Sequence, residues 1–115
     1  MKQDYIYLEH ILENIKKIED SVKGVSKLKF DKDSLLIDGT LRRLEIVGEA
    51  VKNISEEIRN KYPNIEWRKI AGMRDILIHS YFKVDLDLVW EIIKKELPRL
   101  KSNILQILNN KDKFY

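Results

Sequence analysis

Between Asp4 and Val22 the apolar residues Leu8, Ile11, Ile15, Ile18 and Val22 recur at spacings of 3, 4, 3 and 4. That is one stripe of an amphipathic helix, and Gly24 supplies its stop. The polar stretch from Lys23 to Asp33 reads as a connection, after which Asp33 or Ser34 can cap a second helix. Its stripe is Leu41, Leu44, Val47, Val51, Ile54 and Ile58. Gly39 weakens the first turns. Gly48, inside the strong part of the stripe, costs about 1 kcal/mol against Ala and points to a close helix approach or to simple tolerance.

Pro63 breaks the pattern, and Asn64 can cap a third helix that starts near Ile65 and runs through Trp67, Ile70, Met73 and Leu77 to about Tyr81. Asp85 or Asp87 can cap a fourth, with Val89, Ile93, Leu97, Leu100, Ile104 and Ile107 on one face. Pro98 lies within that stripe and predicts a kink or a restart. The end of the chain, from Asn109 to Tyr115, reads as a fraying tail. The pattern predicts an all-α fold, an antiparallel bundle of four to five helices forming a single domain over residues 1–115.

Composition narrows the chemistry. A chain of 115 residues can bury roughly 65% of its unfolded surface, enough to fold without staples. The absence of Cys removes thiolate metal sites, disulfides and cysteine nucleophiles, and leaves His10 and His79 as the imidazoles. We therefore expect neither a structural metal nor a cofactor. The apolar runs fall far short of the about 20 residues of a membrane span, and the start has no signal-peptide core, so a soluble cytoplasmic protein is expected. A net charge of +3 permits nucleic-acid binding without arguing for it. No glycine-rich phosphate loop, His-Glu-x-x-His, Gly-x-Ser-x-Gly or calcium loop occurs.

The run from Trp67 to Phe82 concentrates what chemistry remains, with Arg74, Asp75, His79 and Tyr81 within eight residues. On a helix Asp75 and His79 stand at i and i+4, so the carboxylate can orient the imidazole. Arg74 and Tyr81 lie nearly in line, whereas Arg74 and His79 differ by about 140° around a regular helix. Two copies meeting across a two-fold axis would bring both kinds of side chain to one cleft, which predicts a homodimer. Such a cleft suits a phosphodiester: arginine offers a planar fork to phosphate, and histidine moves protons near neutral pH. RNA would bring its own 2′-OH nucleophile.

From Arg59 to Arg74, five basic residues (Arg59, Lys61, Arg68, Lys69 and Arg74) stand against Glu66, with Tyr62 and Trp67 between them. That is a candidate RNA-docking face or a merely solvated one. Spacing alone equally allows the Arg74 group to be surface ion pairs plus a packed ring. Trp67 and Trp90 read as packing residues, His10 as structural or surface, and Arg42-Arg43 with Glu45 and Glu49 as charge pairing within the second helix. Glu49, beside Gly48, could face the cleft.

The segment Leu44-Glu45-Ile46-Val47-Gly48-Glu49-Ala50, then Pro63, Trp67 to Arg74, Val89-Trp90 and Leu97-Pro98 follow one another in a characteristic order. Within it Arg74, Asp75, three residues and His79 are extended by Ser80-Tyr81 to a His-x-Tyr ending. In this the chain resembles the HEPN superfamily, and within it the HepT-like ribonuclease toxins of prokaryotic toxin–antitoxin pairs. The resemblance implies a metal-independent endoribonuclease that acts as a dimer, with Arg74 and His79 catalytic and Asp75 the supporting polar residue. It also implies a partner, an MNT-type nucleotidyltransferase antitoxin that transfers AMP from ATP to Tyr81. Phosphate charge on Tyr81 would repel a polyanion from the cleft. Other HEPN proteins serve as noncatalytic binding or scaffold subunits beside a nucleotidyltransferase, and that is the alternative.

Overall fold

The computed structural model describes residues 2–78 and 84–110, with the backbone alone at Arg74 and at residues 76–78. Helix α1, Lys2–Val22, buries Tyr5, Leu8, Ile11, Ile15, Ile18 and Val22, the expected stripe with one more turn at its start. Gly24 follows with φ +74°, the left-handed conformation that ends helices without a Cβ penalty. The expected connection up to Asp33 is not featureless: it holds a short helix α2, Lys27–Lys32, capped by the Ser26 hydroxyl, which accepts from the Lys29 N–H at 3.2 Å. Phe30 is its buried residue, and one inward side chain in six residues makes no stripe to read.

Asp33 ends α2 and caps the next helix, α3, Ser34–Lys52, accepting from the Leu36 N–H at 3.0 Å. The second helix was expected to continue to Ile58, and it does not. Asn53 closes α3, and Ser55 caps a separate helix α4, Glu56–Lys61. Asp4 of α1, only 3% exposed, accepts from the Ser55 N–H at 2.8 Å and from its hydroxyl at 2.7 Å. Arg59 then returns its guanidinium to the carbonyls of Val51, at 2.8 Å, and Ile54, at 3.1 Å, satisfying groups that the break releases. Ile54 and Ile58 both remain buried, so the apolar period passes across the break unaltered.

Helix α5, Trp67–Ile78, starts two residues after the expected Ile65, which is buried just ahead of it. Asp85 caps α6, Leu86–Glu91, accepting from the Leu88 N–H at 3.0 Å. A π-turn, Ile92–Glu96, leads directly into α7, Leu97–Asn110. The irregularity anticipated at Pro98 therefore falls on the turn before it. Pro98 has no N–H, and in a regular helix its ring would press on the carbonyl of Lys94; the wider turn, with the Leu97 N–H reaching Ile92 O, accommodates it. Asn109 and Asn110 are helical, so fraying does not begin at 109; residues 111–115 lie outside the described residues.

α3 lies between α1 and α5, and α7 packs on α1. α1 and α3 run antiparallel, since Asp4 meets Ser55 at one end and Arg43 donates to Asn14 Oδ1 at 3.2 Å further along. Lys101 of α7 is tied to Glu19 of α1 at 2.8 Å. The buried side chains form one apolar core fed by the expected stripes, and among the described residues every regular element is helical. The fold is an all-α bundle.

Candidate functional site

Trp67 fixes the start of α5: it is 5% exposed, and its indole N–H donates to Tyr62 O at 3.0 Å. Trp67 is thus a packing residue, and Tyr62 beside it is half-buried against the core. Ala71 and Met73 continue the inward face, while Arg68, Lys69 and Asp75 point to solvent. Arg74 stands on α5 between buried Met73 and exposed Asp75, its side chain outside the described residues. His79 and Tyr81 also lie outside them.

Asp75 is the motif residue whose side chain is placed. Its Oδ1 lies 3.8 Å from Nζ of Lys52, with 55% of the Asp75 side chain and 41% of the Lys52 side chain exposed. A cation in the last turn of α3 also complements that helix end. At such exposure the pair adds at most about 1 kcal/mol, so its interest is placement of charge beside Arg74. Lys52 was not anticipated from sequence. The usable signal was Gly48: Lys52 lies one helical turn beyond it, on the same side of α3, and α3 is the helix that α5 packs against.

Part of the candidate basic face is already engaged within the fold. Arg59 is half-buried and committed to two backbone carbonyls, so it belongs to the α3–α4 corner rather than to any docking surface. Lys69 is held by Glu96 at 3.2 Å and Glu66 at 3.8 Å, and Arg99 also reaches Glu66 at 3.9 Å. The hydrogen bond to Glu96, followed by the charges of Glu96 and Glu66, holds the Lys69 ammonium above the usual lysine pKa. Arg68 remains exposed on α5. Trp90 packs against Phe30 at 5.2 Å between ring centres, with Lys94 over its ring at 4.7 Å, and is a packing residue as expected.

His10 is a surface histidine on α1. It shares a groove between α1 and α3 with Arg42, Glu45 and Glu49. Arg42 and Glu45 form the expected intrahelical pair, at 3.4 Å. Among the described residues no cluster of three His, Asp or Glu could hold a metal ion, and no helix is long and apolar enough to cross a membrane.

Residues 11–107 match the family model described as Ribonuclease HepT-like. The chain is 49% identical over 114 residues to a Methanocaldococcus jannaschii protein named "Gamma-glutamylcyclotransferase and putative RNase", covering 98% of this chain and 51% of that protein. The chain thus spans about half the length of that relative. It is 47% identical over 108 residues to a "Putative RNase" of Caldanaerobacter subterraneus, with 94% of this chain and 96% of the relative covered. A "Probable ribonuclease HepT" of Thermococcus cleftensis is 42% identical over 96 residues, with 84% and 87% covered. No solved structure matches the chain. On the family match and these relatives, the chain belongs to the HepT-like ribonuclease family.

Proposed function

We propose that this chain is a metal-independent endoribonuclease, the toxin of a toxin–antitoxin pair, working in the cytoplasm as a homodimer with Arg74 and His79 as its catalytic residues. The observation that carries the reading is the order of groups at the end of α5: Arg74 and Asp75 in its last turns, and His79 next after Ile78. The RNase names of the relatives support it.

In this reaction His79 takes the proton of a ribose 2′-OH, and the 2′-oxygen attacks the adjacent phosphorus. The bond from phosphorus to the 5′-oxygen breaks, that oxygen takes a proton from water, and the His79 imidazolium gives its proton back to solvent, leaving a 2′,3′-cyclic phosphate and a 5′-OH end. Arg74 stabilises the charge that builds on the phosphorane oxygens. Asp75 supports the imidazole, with Lys52 balancing its charge so that the carboxylate does not repel the phosphate. The angular separation of Arg74 and His79 favours a cleft shared by two copies. Tyr81 is the site at which an MNT-type nucleotidyltransferase would attach AMP: the phenol oxygen takes the α-phosphorus of ATP and pyrophosphate leaves.

The test is incubation of the wild type and His79→Ala with total cellular RNA in EDTA, followed by end-group analysis. We expect 5′-OH and cyclic phosphate ends from the wild type and none from the variant. Cutting that persists in the variant overturns the assignment of His79. No cutting by either protein moves the reading to a noncatalytic binding or scaffold subunit.

A further inference from the structure

The α1–α3 groove joins groups that the proposed cleavage leaves unused. Tyr7 and His10 of α1 line it opposite Arg42, Glu45 and Glu49 of α3 and the capping Asn53, and its volume is about 310 Å³. That is at the lower end of the roughly 300–1,000 Å³ of pockets that hold small ligands. Ile46 and Ala50 form its apolar floor. The antiparallel register, fixed by Asp4 on Ser55 and Asn14 on Arg43, sets His10 opposite the turn of α3 that carries Glu49.

The inventory is unusual for a phosphate site. Two carboxylates one turn apart disfavour a bare polyanion, yet they are the acceptors that a donor-rich base edge requires. Guanine presents adjacent N1–H and N2–H donors, a pair that one carboxylate can accept bidentately; adenine, cytosine and uracil offer no such pair. Tyr7 supplies an aromatic surface, and Ile46 and Ala50 an apolar one, for the flat face of the ring. Arg42, 72% exposed at the far end of the groove, is placed for the neighbouring phosphate. Glu49 has other interactions and Glu45 meets Arg42, but each carboxylate carries four lone-pair sites and keeps acceptor capacity.

One residue ties the groove to α5, the helix whose sequence carries Arg74 and Asp75. Glu49 and Asn53 form its α3 end, and Lys52, between them in sequence, reaches round to Asp75 of α5. We infer that this groove is a guanine subsite for single-stranded RNA, which binds a base flanking the scissile bond and gives the enzyme a sequence preference. The inference rests on the ribonuclease reading for its purpose, but binding alone tests it.

The experiment measures affinity of the full chain for 2′-O-methyl hexamers, which cannot be cleaved. One carries a single G in a U background, one carries inosine at that position, and one is all U. We expect the G-containing strand to bind at least about tenfold tighter than the other two, as one bidentate base contact provides. Glu45→Gln with Glu49→Gln should remove the preference, keep the helical circular dichroism unchanged and, by taking two negative charges from the groove, bind the all-U strand no more weakly than the wild type does. Arg42→Ala should weaken all three strands alike and keep the preference. Equal binding of the three strands, no binding of any, or a preference that survives in a folded double variant would overturn the inference. A guanine preference without cleavage of ordinary RNA would sink the ribonuclease reading alone, and cleavage without the preference would sink this one alone.

Discussion

Lys52 Nζ lies 3.8 Å from Asp75 Oδ1 and so links the last turn of α3 to the turn of α5 that carries Arg74. In the proposed reaction a carboxylate next to the arginine that would meet phosphate works against substrate unless its charge is offset. Lys52 offsets it from a different helix.

Lys52→Met should therefore lower RNA cleavage, by roughly tenfold at most, while global stability changes by less than about 1 kcal/mol. Lys52→Arg should restore most of the activity. Initial rates beside urea unfolding would check both, and an undiminished rate in Lys52→Met would remove Lys52 from the site.

Asp4→Ala should cost about 2–4 kcal/mol. It strips two charge-assisted hydrogen bonds from half-buried Ser55, leaving a backbone N–H and a hydroxyl without the carboxylate that accepts from them. Denaturant unfolding would measure the loss, and a change below about 1 kcal/mol would mean that the corner closes without Asp4.

Gly39→Ala should stabilise the protein by about 0.5–1 kcal/mol. Gly39 is exposed inside α3, and a Cβ there would meet nothing within 4 Å, so only the entropic cost of glycine changes. The thermal midpoint should rise by a few degrees.

Lys69 gives a pH prediction. Its pKa is raised in the folded state by Glu96 and then Glu66, so its contribution is complete below the unfolded lysine value of roughly 10.4. It is lost as pH climbs through the higher folded value. Lys69→Met should flatten the decline in stability above about pH 10, as unfolding midpoints across the alkaline range would show.

The helical stripes were legible because burial in a bundle imposes the 3.6-residue period directly on the order of residues. That is why α1, the core of α3 and the faces of α6 and α7 stand where the pattern put them. What stayed hidden were events that leave the period intact. Ile54 and Ile58 keep time across a break made by Ser55, and Ser55 is recruited by a residue 51 positions away. α2 hides for the opposite reason, being too short to repeat anything. At the candidate site, Arg74, Asp75, His79 and Tyr81 were picked out by their order and by a family likeness; of the side chains the structure adds Asp75 and its tie to Lys52. A lysine at a helix end is too common a choice to announce such a contact. The basic cluster stayed open between a docking face and a solvated one because linear charge density does not tell a cation exposed to solvent from Arg59, which is spent on its own backbone.

The contact between Asp4 and Ser55 also bears on the order of folding. The turns of α3 form from neighbouring residues, whereas the α3–α4 corner needs two parts of the chain to meet across 51 positions and bears that loop-closure cost first. The corner should thus set late, after α1 has docked on α3. Weakening it should then speed unfolding far more than it slows folding, and the resistance of the native state to spontaneous opening would reside partly in the first turn of α1.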